Sequence, residues 1–503
     1  MSRIVVIGAG VGGLAVAARL AVKGHDVRIV EQAERVGGKL HTHRRDGFAF
    51  DTGPSLFTLP AVYRDLFLKT GASLEDSVDL QAVEPGFGYR FADGTQAVLP
   101  GVGIGAAAGA LGDALGGNAR AEWLTLMKRA SDMWKLTRAP VLQSPLEGWR
   151  SAARLTRSIS DVRTIAPFTS LHRLGNATFS DARLVTLLDR YATYTGSDPR
   201  RAPAALATIP FVEQTFGAWH IGGGIGTLAG VLADRARERG VQIDLRTTVS
   251  GITTAHGAVT GVELASGDAI PADIVVSDVD ATSLYRSLLH APASTGSVTR
   301  TLARQTPSLG GFVMLLAVRG RTPGIQHHNV WFPADYSAEF TAIFGRHPAP
   351  VDDPAIYACV PDDPRMRPDD QHESWFILVN APRHSATGSP GTIDWDTPGR
   401  GLAYASHVLD RLAARGTDLR QRIVFQEVAT PADLERDIQA PGGAIYGAAS
   451  HGSMSTFRRP RNQSPVEGLF LVGGSAHPGG GLPLVGMGAE LVAELIGRAR
   501  PAR

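Results

Sequence analysis

A glycine-rich turn between a short apolar strand and a helix occupies the first fifteen residues, and it constrains this chain more than any other stretch. Arg3-Ile4-Val5-Val6-Ile7 is a β-branched apolar run, the pattern of a strand buried on both faces of a parallel sheet. Gly8-Ala9-Gly10-Val11-Gly12-Gly13 follows at once, and then Leu14, Ala17, Ala18 and Leu20 recur at helical spacing. A second apolar run, Val27-Arg28-Ile29-Val30, closes on Glu31. Gly8 lets the chain turn tightly, Gly10 lets the backbone approach a pyrophosphate, and Gly13 lets strand and helix pack closely, with Gly12 inside the same turn. The free N–H groups and positive dipole end of the helix then face the phosphates. Glu31 can accept hydrogen bonds from a ribose, and its charge repels a 2′-phosphate, which disfavours NADP. A lone G-x-G-x-x-G carries little weight; here the strand, the helix and the acid all stand at the expected distances.

The residues after Glu31 narrow the nucleotide. Arg35-Val36-Gly37-Gly38-Lys39 is a second glycine pair that a plain NAD domain does not need. Glu31 to Lys39 fits E-x-x-x-x-x-G-G-[RK], in which a second backbone turn approaches the diphosphate and ribose of FAD. The stretch resembles the start shared by amine oxidases, protoporphyrinogen oxidases and carotenoid desaturases, so FAD is the expected cofactor, with Gly38 and Lys39 beside it. Phe48 to Phe57 reads as a strand halted by Gly53-Pro54-Ser55. Its D-T-G-P-S resembles the D-x-G-P of these flavoproteins, which implies a turn near the isoalloxazine ring.

Further motifs sharpen the resemblance. Tyr191, Tyr194, Gly196 and Pro199 form Y-x-x-Y-x-G-x-x-P, followed by Glu213, Gly217 and Trp219 in E-x-x-x-G-x-W and by the run Gly222-Gly223-Gly224. This set is similar to the bacterial carotenoid desaturase family. Near the C-terminus, Gly468 to Gly474 reads as a last strand and glycine turn. Gly474-Ser475-Ala476-His477-Pro478-Gly479-Gly480-Gly481 then leads into a helix from Leu482 to Arg498. That turn resembles the branch acting on desaturated or end-modified carotenoids. The resemblance implies an α/β fold: a Rossmann-type FAD-binding domain of the amine oxidase and carotenoid desaturase type, with a mixed α+β substrate domain. It implies a discontinuous FAD domain over 1–84, 216–283 and 432–503, with 85–215 and 284–431 as the substrate domain and possible membrane contact. It places Val249, Gly474, Leu484 and Val485 with the cofactor residues. His477, Glu213 and His220 are the candidate catalytic groups, although a hydrogen-bonding role in the core is the commoner fate of such residues.

Composition excludes other classes. The formal net charge of +2 over 503 residues gives no field for nucleic acid. Cys359 is the one cysteine, so no intrachain disulfide can form, which fits a reducing compartment. No window of about 18 residues is continuously apolar. The expectation is a cytoplasmic protein with a peripheral contact on the inner face of the cell membrane. From Ala121 to Arg173, Trp123, Leu124, Met127, Met133, Trp134, Leu136, Trp149 and Leu155 interleave with Lys128, Arg129, Lys135, Arg138, Arg150, Arg154, Arg157 and Arg163. This reads either as an interfacial helix on anionic lipid or as a solvated face of the substrate domain. The Asp- and Pro-rich stretch 348–370 reads as a surface loop, and Gly311–Val318 and Trp375–Asn380 as core strands.

No Ser-His-Asp order and no metal-ligand spacing occurs in the sequence, so no metal is expected. That suits desaturation, in which a flavin accepts a hydride from a hydrocarbon whose developing charge spreads over a polyene. The resemblance therefore implies a hydrophobic polyene substrate. The alternatives are a carotenoid end-group oxygenase, an amine oxidase, and a non-catalytic isoprenoid-binding escort protein of the same fold. No feature of the sequence specifies an oligomeric state.

Overall fold

Four short apolar runs, far apart in sequence, and the more polar edge strand Gln242–Asp244 form one parallel sheet, in which neighbouring strands satisfy each other's backbone. The order is Leu469–Leu471, Ile274–Ser277, Arg3–Ile7, Asp26–Val30, Gln242–Asp244. Every pair is parallel, with Ile4 opposite both Ile274 and Val27. The computed structural model describes all residues except Gly148, Arg154, Thr156, Arg157, Ala291, Pro292 and 500–503. Arg154 and Arg157, counted above among the basic residues, lie outside the described residues, as does the side chain of Trp149.

The helix Val11–Val22 lies against one face of this sheet and packs between the helices Thr227–Glu238 and Leu482–Ile496. Ala15, Ala18 and Ala489 are fully buried there. Side chains this small allow the helix axes to approach closely. A Cβ at Gly13 would lie 2.1 Å from the Gly8 carbonyl oxygen, so helix and strand touch through backbone alone. On the other face, Val5, Ile7 and Val30 pack with Val249, Ile252 and Val262 of an antiparallel sheet formed by Val249–Ala255, Ala258–Leu264 and Ala269–Pro271.

A second, seven-stranded sheet runs Ile423–Ala429, Gly310–Arg319, His372–Ala381, Ile356–Cys359, His328–Trp331, Phe87–Arg90, Gln96–Leu99. It is antiparallel except where Phe87–Arg90 pairs with His328–Trp331. Nine of the ten residues of Gly310–Arg319 are buried, so this strand is covered on both sides. The stretch 348–370 is not simply a surface loop. It contributes the strand Ile356–Cys359 and the buried Asp363, because the sheet needs a partner for His372–Ala381. The Gly/Ala-rich stretch after residue 100 forms the helix Ile104–Leu115, held by burial of Ala107, Ala108 and Leu111.

The helical layer corrects one expectation. In Ala119–Thr137 the aromatic and aliphatic face is not free for lipid: Trp123, Leu126, Met127 and Met133 are buried in the core. Trp123 stacks on Phe179 and donates from Nε1 to Gln214 Oε1 at 3.0 Å. Among the described large apolar side chains of this region, Leu124 at 39%, Ile159 at 75% and Phe168 at 87% are exposed. Among the described residues, no helix is long and apolar enough to cross a membrane.

Gly13→Ala tests the strand–helix contact. Alanine raises helix propensity by about 1 kcal/mol, but its methyl meets a backbone carbonyl that cannot move cheaply, at the upper end of the usual 1–3 kcal/mol for overpacking. The expected net result is a loss of roughly 1–2 kcal/mol in urea unfolding.

Candidate functional site

The carboxyl ends of four parallel strands open on one crevice, where α/β sheets bind ligands. Gly8 follows Arg3–Ile7, Glu31 follows Asp26–Val30, Asp278 follows Ile274–Ser277, and Val472-Gly473 follow Leu469–Leu471. Gly8 has φ +99°, which only glycine adopts without strain. Gly10 caps the helix Val11–Val22, and no side chain caps it. Its first N–H groups are therefore free for a ligand.

A carboxyl group already sits in this cradle. A Cβ at Gly10 would fall 2.3 Å from Asp278 Oδ2; at Gly12 and Gly473 it would fall 2.5 and 2.4 Å from Oδ1. The Gly13 N–H donates to the same carboxylate. The glycine loop thus accommodates a pair of anionic oxygens only because those side chains are missing. The Asp278 carboxylate stands in for phosphate oxygens, and the fit to a diphosphate follows. Burial pushes its pKa up to about 7, with Glu31 adding like-charge pressure and the Gly13 N–H and Lys39 opposing.

Glu31 Oε2 accepts from the Ala9 N–H at 2.7 Å and Oε1 from the Ala33 N–H at 2.8 Å. A carboxylate has about four lone-pair sites, so both oxygens can still receive ribose hydroxyls. Gly37 N–H donates to the Ala9 carbonyl, and Gly10 bridges Gly37, which stacks the two glycine turns with Gly38 3.4 Å from the Gly10 Cα as a Cβ would measure it. Lys39 keeps accessible surface, although its Nζ reaches inward to the Ile445 carbonyl at 2.8 Å. Desolvation lowers its pKa, while Asp280 and Asp278 oppose the shift. Accessible yet enclosed, Lys39 lines an internal cleft.

Gly53 allows the next close approach, since a Cβ there would lie 1.7 Å from the Lys39 carbonyl oxygen. Pro54 and Ser55 follow at the cleft wall, and Ser55 Oγ hydrogen-bonds Tyr357 Oη at 2.7 Å. Val249 lies two residues beyond Thr247, whose N–H donates to the Glu31 carbonyl at 2.7 Å. Gly474 packs against Gly480 across the C-terminal turn. Leu484 and Val485 stand in the first turn of Leu482–Ile496, whose N-terminus likewise lacks a side-chain cap. Val249 itself packs in the core with Val5, Ile7 and Val30.

The three polar residues expected to be catalytic do not converge. His477 is fully buried, and its Nε2 donates to the Ser144 carbonyl at 3.0 Å, pinning residues 141–144 to the C-terminal turn. Burial lowers its pKa to about 4, with Arg459 adding to the effect and the Ser144 carbonyl opposing, so the ring is neutral at pH 7. His220 Nε2 bonds Asp363 Oδ2 at 3.0 Å. Against the penalty of burial, the Gly223 N–H, His220 and Arg365 hold the Asp363 carboxyl well below the usual range. Glu213 accepts from Tyr191 Oη at 2.6 Å and Tyr194 Oη at 3.1 Å. Burial raises its pKa, opposed by the Tyr191 hydroxyl, the Arg190 charge and Tyr194. Each has a structural partner, which separates these three groups into different networks.

A buried polar belt instead joins residues that pattern reading passed over. Tyr357 Oη bonds His328 Nδ1 at 2.8 Å as well as Ser55. The Arg190 guanidinium lies 5.4 Å from the Tyr357 ring and donates to Tyr194 Oη at 2.8 Å. His327, His328 and Cys359 bring three ligand-type atoms within 4.8 Å of one another. Burial lowers the pKa of both imidazoles and raises that of the thiol, so the three are neutral dipoles.

Comparison with known proteins fits this geometry. Residues 11–372 match the model of flavin-containing amine oxidoreductases. The chain is 33% identical to a 4,4′-diapolycopene oxygenase of Methylomonas sp, over 98% of each protein. It is 33% identical to a hydroxyneurosporene desaturase of Rubrivivax gelatinosus, over 98% of this chain and 93% of that one. With a 4,4′-diaponeurosporene oxygenase of Staphylococcus aureus it shares 30% over 99% of each. Among solved structures, an oxidoreductase from Methanosarcina mazei superposes with TM-score 0.65 at 17% identity, covering 98% of this chain and all of that one. A putrescine oxidase bound to putrescine gives 0.63 at 15%, covering 98% and 99%. These two show the fold.

Asp278 generates a prediction for the flavin-free protein. Its folded pKa of about 7 exceeds the ordinary 3.8, so the folded state keeps a proton that the unfolded state has lost between those values. Stability therefore falls as pH rises through that window. Asp278→Asn should remove this slope, raising the thermal midpoint at pH 8 and leaving it nearly unchanged at pH 4. A gain of about 1–2 kcal/mol at pH 8 is expected once partial exposure is discounted. Equal effects at both pH values would contradict the assignment.

Proposed function

The chain belongs to the flavin-containing amine oxidoreductase family and is an FAD-dependent oxidoreductase, and on that premise we propose that it desaturates an acyclic carotenoid already hydroxylated or otherwise modified. The observation that carries this reading is the full-length similarity to enzymes named for linear carotenoids, at 30–33% identity. The flavin unit is 1–84, 216–283 and 432–503, and the substrate unit is 85–215 and 284–431. End-group oxygenation is the second reading, because two of those three relatives are named oxygenases. The amine oxidase and escort-protein alternatives have less support. The putrescine oxidase shares the fold at only 15% identity, and an escort protein has no need of an intact glycine cradle.

When bound, FAD supplies the hydride acceptor. The chain's own residues hold and orient. The N–H groups at Gly10 to Gly13 would hold the diphosphate, and Glu31 would accept from ribose hydroxyls. Gly38, Lys39 and Gly53 bring the second turn and the Pro54-Ser55 wall alongside. The uncapped N-terminus of Leu482–Ile496 would offer N–H groups to negative charge on a reduced flavin. Leaving hydride and proton come from adjacent carbons, and the conjugated chain spreads the positive charge between the two losses. No strong base is then required, consistent with neutral His477 and with Glu213 engaged by two hydroxyls.

The test is expression in cells that accumulate acyclic carotenoids, with products read by absorption and mass. Each desaturation removes two hydrogens and moves the absorption band to longer wavelength. Carotenoids carrying added oxygen favour the oxygenase reading. An unchanged pigment profile from a flavin-loaded protein sinks the carotenoid reading altogether.

A hydrocarbon substrate is supplied from lipid, and the exposed Ile159 and Phe168 lie on the segment that carries exposed Arg163 and Arg173. We read this face as the contact with an anionic membrane. Phe168→Ser with Ile159→Ser should cut co-sedimentation with acidic vesicles several-fold, and wild-type binding should weaken as salt rises. Equal binding to neutral and acidic vesicles leaves the arginines without that role.

A further inference from the structure

Buried arginine is costly, and its charge is normally met by a carboxylate. Arg190 ends the helix Ala182–Arg190 and is only 6% exposed, yet among the described residues no carboxylate lies within ion-pair distance of it. Its guanidinium makes one hydrogen bond, from Nη1 to Tyr194 Oη at 2.8 Å. The aromatic rings of Tyr194, Tyr357 and Phe87 surround it at 5.1, 5.4 and 5.9 Å. A guanidinium carries five N–H donors in a fixed fork. The rings clamp the plane of this one and leave most of its donors uncommitted.

The neighbours decide what could use those donors. Glu213 is not in contact, but it is joined to Arg190 through the Tyr194 hydroxyl, which donates to the carboxylate at 3.1 Å. Its charge balances the guanidinium at one remove, so the site is close to neutral as a whole. A carboxylate ligand would face Glu213 at short range, whereas a carbonyl or hydroxyl oxygen would not. Both tyrosine hydroxyls already donate to Glu213, which leaves the guanidinium as the donor. A second group in the same belt is unsatisfied: His328 is fully buried, and its Nε2 has no hydrogen-bond partner.

The belt also borders the cleft. Tyr357 touches Arg190 on one side and Ser55 on the other. Tyr446, which lies in the field of Arg190, covers Gly480 in the turn that opens Leu482–Ile496, 2.8 Å from a Cβ placed there. We propose that Arg190, clamped by Tyr194 and Tyr357, anchors a neutral oxygen of the substrate, a carbonyl or a hydroxyl, beside the flavin cleft. This rests on the polyene reading above and names the group by which the site selects among polyenes. The enzyme thereby favours an oxygen-bearing polyene over a bare hydrocarbon of equal length.

The experiment compares two polyenes of equal conjugation, one ending in a carbonyl and one in a hydrocarbon, on FAD-loaded enzyme. In Arg190→Met, kcat/KM for the carbonyl polyene should fall on the order of 10²-fold, and for the hydrocarbon by no more than about threefold, the scale of one lost charged hydrogen bond. Arg190→Lys should recover part of the loss. Binding gives an independent signal. A conjugated carbonyl accepting from a cation absorbs at longer wavelength, so wild type should red-shift the bound carbonyl polyene and Arg190→Met should not. Equal losses on both polyenes, or a red shift retained in Arg190→Met, overturn the proposal. If wild type oxidises neither polyene, the carotenoid reading fails while the spectral shift still reports on Arg190. If Arg190→Met does not fold, Tyr194→Phe, which keeps the ring but removes the hydroxyl that holds the guanidinium, carries the same comparison.

Discussion

Backbone N–H groups at the start of a helix have no partner within that helix, and burying them unsatisfied is expensive. That cost organises this molecule. The first turn of Val11–Val22 is buried under two other helices, so something must meet its N–H groups. A side chain at Gly10 or Gly12 would fill the space where an anion must come. The parallel sheet brings four strand ends to that point, and each contributes a turn, a carboxylate or another glycine. The second glycine turn, the Gly53 turn and the C-terminal turn then pack on this nucleus through backbone contacts that admit no Cβ.

Electrostatics separates the two halves of the cleft. At the cradle, Glu31, Asp278 and Lys39 form a charged group in which one carboxyl is driven toward neutrality by burial. Toward the seven-stranded sheet the imidazoles and the thiol are neutral dipoles, and Arg190 stands among aromatic rings, joined to Glu213 through the Tyr194 hydroxyl. Hydrogen abstraction from an apolar chain is served by such a division. Charge is concentrated at the glycine cradle and is sparser toward the aromatic belt.

Imidazoles illustrate how misleading residue type can be. His477 stands in the C-terminal glycine turn, and its chemistry suggests proton transfer. Burial and a carbonyl partner instead make it a bracket between that turn and residues 141–144. His220 is tied likewise to Asp363, in a stretch whose composition reads as exposed loop. Neither partner is near in sequence, and the hydrogen bond, rather than the residue type, sets the role.

Local sequence determined the strand–turn–helix start, the acid at Glu31, the paired glycine turns and the C-terminal strand with its helix, because these depend on neighbouring residues and on glycine's conformational freedom. The long core strands were legible for the same reason. What only the tertiary structure decided were meetings across hundreds of residues. Asp278 came to lie in the cradle of Gly10 and Gly473, Trp123 turned inward onto Phe179, and the 348–370 stretch supplied a buried strand. Arg190 likewise came to stand among three rings from two other strands and its own turn. An isolated aspartate or arginine carries no periodicity and no motif, so its environment has to be built before its role can be read.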